Sequence, residues 1–248
     1  MSDTRMRRQG CALVVGAALV ILTACGSGTP RKAATSAPPT VAPLTKNQVD
    51  SALLTLADMG PGFKLDPDAS NEDDGDDEFG CISDLDSPGV SSPTIAEEEV
   101  GFVGEDSLPA VFNAVGTMKN EQQVKAAYNE FVAILKTCRQ VSLDEEGASV
   151  ELMVSSNHDK THKNVDYQVN VAALGTISSE GKSVPFGVWL SWMSLDNNIT
   201  LVGYANVNEN RTSNRSLNAH AYNAFAKLQA VMAGKPLPKP SSPAATTV

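Results

Sequence analysis

The sequence predicts an α+β domain: an antiparallel sheet of about five to six strands with helices packed on one face, in the order α-β-β-α-β-β-β-β-α. Three observations carry this expectation. Residues 120–138 hold Val124, Tyr128, Phe131, Leu135 and Cys138 at spacings of four, three, four and three, the period of a helix buried along one stripe. Residues 150–171 alternate apolar and polar side chains, as Val165, Tyr167, Val169 and Val171 do around Asp166, Gln168 and Asn170, which is the period of strands with one wetted face. Turn signals then separate consecutive strands so closely that hairpins must join them.

In chain order, Thr45 reads as the N-cap of a helix over 46–58 with Val49, Leu53 and Leu56 on one face, stopped by Gly60-Pro61-Gly62. Residues 65–94 carry Asp66, Asp68, Glu72, Asp73, Asp74, Asp76, Asp77 and Glu78 ahead of Cys81, and read as an acidic excursion whose middle Cys81 pins to the core. Segments 98–104 and 108–118 form a first hairpin about Glu105-Asp106-Ser107. Residues 186–194 are apolar on both registers, with Trp189 and Met193 on one and Val188, Leu190 and Trp192 on the other, so this strand lies centrally in the sheet. Asp196-Asn197-Asn198 turns the chain into the strand 199–207, and 216–232 forms the last helix, with Leu217, Ala221, Ala224, Phe225, Leu228 and Val231 inward and His220 toward solvent.

The N-terminus has a different character. Arg5, Arg7 and Arg8 precede an apolar run over 11–22, roughly a dozen residues and short of the ~20 that span a bilayer, so it reads as an export signal to be removed. The run ends in Leu22-Thr23-Ala24-Cys25, which resembles the bacterial lipobox. That resemblance implies a signal peptide over 1–24, cleavage before Cys25, and a thiol at Cys25 carrying diacylglycerol with fatty acids such as palmitate. The product would be a lipoprotein held at the extracytoplasmic face of the cell membrane. At ~0.8 kcal/mol per buried methylene, two or three chains suffice for durable anchoring. The plainer reading is an ordinary cysteine beside a cleavage site.

Cleavage would remove three arginines and one aspartate, leaving 16 basic and 28 acidic residues and a formal charge of −12. Such a surface disfavours nucleic acid, whose affinity rests on Lys and Arg neutralising phosphates. Residues 25–44 are rich in Pro, Ser, Thr and Ala and read as a disordered tether, and 236–248 as a tail of the same kind. Between them, 45–235 is about the length of one domain. With Cys11 cleaved and Cys25 acylated, Cys81 and Cys138 remain, and outside the cytoplasm such a pair usually oxidises. A Cys81–Cys138 disulfide is expected; two buried free thiols are the alternative.

The sequence offers little catalytic chemistry. His158, His162 and His220 are its three histidines. His158 and His162 stand four apart, half a zinc site if helical, but their neighbours read as a polar hairpin loop and no Glu stands where a zinc protease needs one. A Gly-x-Ser-x-Gly elbow, a Gly-x-x-x-x-Gly-Lys loop and a Gly-x-Gly-x-x-Gly turn are all missing, so neither catalysis nor a cofactor is expected. The acidic run from Asp73 to Glu78 does not have the spacing of a calcium loop. Asn198, Asn210 and Asn214 match the glycosylation sequon, by chance in a bacterial protein.

The lipobox, the Pro/Ser/Thr tether, the early helix bearing Leu53-Leu54-Thr55-Leu56-Ala57-Asp58-Met59 and the helix ending in Cys138 together resemble actinobacterial lipoproteins. In particular, residues 45–233 resemble domains related to the extracellular sensor domain of mycobacterial serine/threonine kinase H. The resemblance implies a sheet with a cleft, disulfides and a small-molecule ligand. This chain departs from it in having one bridge where that domain has two, and no ligand residue can be transferred. The reading that follows is a surface-tethered, sensor-like binding domain whose protein partner is unknown. The alternative is a carrier of lipid or another hydrophobic molecule, with Trp189, Trp192 and Met193 lining its cavity.

Overall fold

The structure, a computed structural model, describes residues 41–67, 81, 85, 87–105, 107–145, 147–207 and 212–240, all within the unit Thr40–Val248. The signal peptide, Cys25, most of the tether, the acidic run from Asp68 to Glu78, Asn210 and the last eight residues lie outside the described residues.

The helical elements are α1 (Lys46–Ala52), α2 (Leu56–Met59), α3 (Glu121–Thr137) and α4 (Thr212–Met232). The strands are β1 (Lys64–Leu65), β2 (Ala96–Val103), β3 (Ala110–Thr117), β4 (Gln140–Glu145), β5 (Ala148–Asn157), β6 (Tyr167–Ser179), β7 (Lys182–Leu195) and β8 (Asn198–Val207). They form one eight-stranded sheet in the order β1-β2-β3-β8-β7-β6-β5-β4, with antiparallel pairs throughout. The sheet is therefore wider than the five to six strands expected: β1 and β4, its two edges, are the additions. Hairpins build it, and one long return, β3 to β8, closes it by way of α3 and four strands.

A second correction concerns the helices, which cover both faces. Side chains alternate across a strand, and in β7 this divides two cores. Leu190 and Trp192 pack with Val124, Phe131 and Leu135 of α3. Trp189 packs with Leu217 and Ala224 of α4, and Met193 with Ala221 and Phe225. α1 lies on the same side as α4, where Val49 and Ala52 meet Val115 and Leu228. The two-register apolar pattern of 186–194 thus reports burial from both sides.

α3 begins at Asn120, whose side chain accepts the Gln123 N–H, and ends with Cys138 at its C-cap. The predicted helix over 46–58 is broken. Leu53 is extended, the Leu54 N–H goes to Asn113 Oδ1 at 2.9 Å, and Thr55 caps the new turn α2. Leu54 is buried in consequence, whereas Leu56, expected inward, is 41% exposed.

The described chain enters and leaves at one end of the sheet. Leu44 N–H donates to Thr117 Oγ1, Thr117 pairs with Asn198, and Asn198 Nδ2 reaches Met232 Sδ near the end of α4. Asn198 is fully buried, so this sequon is closed to modification.

Candidate functional site

Cys81 and Cys138 are bridged, with an S–S distance of 2.05 Å across 57 residues of separation. Cys138 lies on the buried stripe of α3, as its spacing predicts. Downstream of Cys81, Leu85 is fully buried, Trp192 Nε1–H donates to Pro88 O at 2.9 Å, and Ser87 Oγ donates to Glu97 Oε1 at 3.1 Å. The bridge thus heads a strap that closes the α3 face.

The two histidines four apart diverge. His158 is exposed, with Nδ1 3.3 Å from the Tyr128 hydroxyl of α3. His162 lies against α4, its ring 5.8 Å from Tyr222 and 5.6 Å from Phe225, and burial holds its pKa below the ordinary imidazole value. They share no ligand-binding geometry. Trp189, Trp192 and Met193 are buried too, but Trp192 lies on the face opposite the other two, so the three do not line a common cavity.

Two polar clusters occupy the α4 side. In the first, Gln168 and Thr161 bond each other twice, both contacts at 2.8 Å. Asn170 Oδ1 accepts from Gln168 and Ser191, while its Nδ2 donates to Asn157 Oδ1 and Asp159 O. The amide valences of Asn170 are filled from within the protein, and the cluster fastens the β5–β6 loop to the sheet.

The second cluster is not closed. Asp58 is the third residue of α2, and its Oδ2 accepts from the Thr55 N–H at 2.8 Å, the Thr55 hydroxyl at 2.7 Å and the Lys227 ammonium at 2.9 Å. Both charged side chains are 4% exposed. Two helical turns before Lys227, on the same stripe of α4, stands His220, which is 2% exposed and not solvent-facing as the sequence suggested. Its ring stacks on Tyr204 of β8 at 6.4 Å and 22° and meets the edge of Phe63 at 6.3 Å and 78°. Tyr204 continues to Trp189 at 6.0 Å, and its hydroxyl oxygen accepts from Asn206 Nδ2 at 3.2 Å. Within this packing, His220 Nδ1 has no hydrogen-bond partner.

Sequence reasoning missed Asp58, Lys227 and the burial of His220. Thr55-Leu56-Ala57-Asp58 has the outline of a capping box. His220 falls three after Leu217 and four before Ala224, on the apolar stripe. Both signals were present.

Burial pushes the His220 imidazole down to about 4, against a smaller upward pull from Asp58. The ring is neutral near pH 7. Because the folded pKa lies below the unfolded value of ~6.5, the unfolded chain binds the extra proton between those pH values, and stability falls as pH is lowered through that window. Urea unfolding is expected to show a loss of about 3 kcal/mol from this group between roughly pH 7 and pH 4. His220→Phe should lack that component; an unchanged pH slope in the variant would mean that the ring is solvated.

No protein-family model matches the chain, and no curated protein matches it. Among solved structures it is similar to the extracellular domain of PknH from Mycobacterium tuberculosis, with a TM-score of 0.48 and 10% identity over 77% of this chain and 98% of that one.

Proposed function

We propose that the chain is a lipid-anchored, extracytoplasmic, sensor-like domain that binds a ligand and performs no catalysis. The observation that carries ligand binding is His220, a neutral buried imidazole whose Nδ1 is left open among aromatic rings. The compartment rests on the export leader with Leu22-Thr23-Ala24-Cys25, and the Cys81–Cys138 bridge agrees with oxidising surroundings. No helix among the described residues is long and apolar enough to cross a membrane. The acidic balance of the chain makes nucleic acid an unsuitable partner.

The anchor is tested by growing cells that express the chain with labelled palmitate. The wild type is expected to take up label and to partition with membranes; Cys25→Ala should do neither. An unlabelled wild type, or a Cys25→Ala chain still in the membrane fraction, would end the anchoring proposal. Binding is tested separately, by native mass spectrometry of the chain as isolated from cells.

A further inference from the structure

Resting on the reading of a ligand-binding domain, we infer the chemical class of its ligand: a small, neutral, planar aromatic molecule bearing an O–H or N–H, hydrogen-bonded to His220 Nδ1 and entering by displacing Phe63. The first support is the open nitrogen. A buried polar atom without a partner is destabilising, and a hydroxyl or ring N–H of the ligand, donating to Nδ1 of the Nε2–H tautomer, would relieve it. The second is the surroundings. Tyr204 stacks on the imidazole, Phe63 meets it edge-on and Trp189 lies beside Tyr204, so the imidazole is flanked by flat aromatic rings. The third is charge: the neighbouring Asp58 and Lys227 are spent on each other at 2.9 Å, which leaves neither to recruit an ion.

Phe63 is suited to give way. It is only half-buried, and it follows Gly60 at φ +85° and Gly62 at φ +90°, where an added Cβ would meet nothing within 4 Å. The strand after it, β1, has two residues. Moving the ring gives up its packing against the cluster of Trp189 and Tyr204 and opens the face of His220 to a ring of similar size, which restores that packing.

Phenol and benzene, which differ by the hydroxyl, are the probes. They are titrated into the full chain and into its Phe63→Ala and His220→Phe variants, with His220 ring ¹⁵N shifts and tryptophan fluorescence as readouts. Phenol is expected to saturate, to shift the Nδ1 resonance, and to bind about three- to tenfold more tightly than benzene, the worth of one hydrogen bond. Phe63→Ala should tighten phenol binding, and His220→Phe should erase its advantage over benzene. The inference is overturned if phenol and benzene bind alike, or if neither saturates even in Phe63→Ala, which would leave the Nδ1 to a water molecule. Such a failure leaves the native mass spectrometry result unaffected, where a retained molecule of another class would still uphold ligand binding and an empty chain would overturn it, so the two proposals fail separately.

Discussion

Asp58→Ala is expected to destabilise the domain by about 3–5 kcal/mol, because it strands the Lys227 ammonium in a site where both partners are 4% exposed. Part of the loss comes from α2, where the same carboxylate oxygen receives the Thr55 N–H and hydroxyl, an N-terminal cap worth about 1 kcal/mol. The pair itself is another matter. Two charges withdrawn from water lose solvation that their attraction only partly repays, so Asp58→Leu combined with Lys227→Met should recover most of what either single change loses. Urea unfolding of the two single variants and the double variant gives the coupling directly. If Asp58→Ala cost less than about 1 kcal/mol, the pair would be behaving as a surface ion pair, and the junction of α2 with α4 would be wetter than described.

Cys81→Ala is expected to cost about 4 kcal/mol. The bridge spans 57 residues, and in the chain-entropy model closing such a loop removes that much freedom from the unfolded ensemble. The residues it ties together belong to distant parts of the fold. On one side is the strap through Leu85 and Pro88; on the other is the C-cap of α3. The loss should therefore be accompanied by a red shift in tryptophan emission if the Trp192 Nε1–Pro88 O contact loosens with it. Wild-type protein treated with a dithiol reductant should match the variant in urea midpoint. A reduced wild type that kept its full stability would show that the strap is held by Leu85 and its packing alone.

What could be read in advance was what neighbouring residues decide among themselves. The four-three-four-three spacing of α3 is local, and so is the reversal at Asp196 and Asn197, where Asp196 has φ +53° and Leu195 pairs with Asn198. Features set by residues far along the chain were lost. The break between α1 and α2 depends on Asn113 accepting the Leu54 N–H from 59 residues away. Gln140–Glu145 becomes a strand because β5 offers it a partner, and its own Gln-Val-Ser-Leu-Asp-Glu is too short and too acidic to announce one. The placement of helices on one face was inferable otherwise, since Trp189 and Met193 beside Leu190 and Trp192 already required cover on both sides. The candidate site stayed hidden for a plainer reason: a histidine and a lysine on a helix ordinarily face water, and only the arrival of α2, Phe63 and Tyr204 encloses them.

The proximity of Leu44, Thr117, Asn198 and Met232 means that the described chain closes on itself in space although its ends are far apart in sequence. Where a polypeptide begins is then a matter of wiring and not of architecture. A short linker could join 41 to 235, and the chain could be opened instead at the Glu180–Gly181 reversal, with the strand pairings of the sheet preserved.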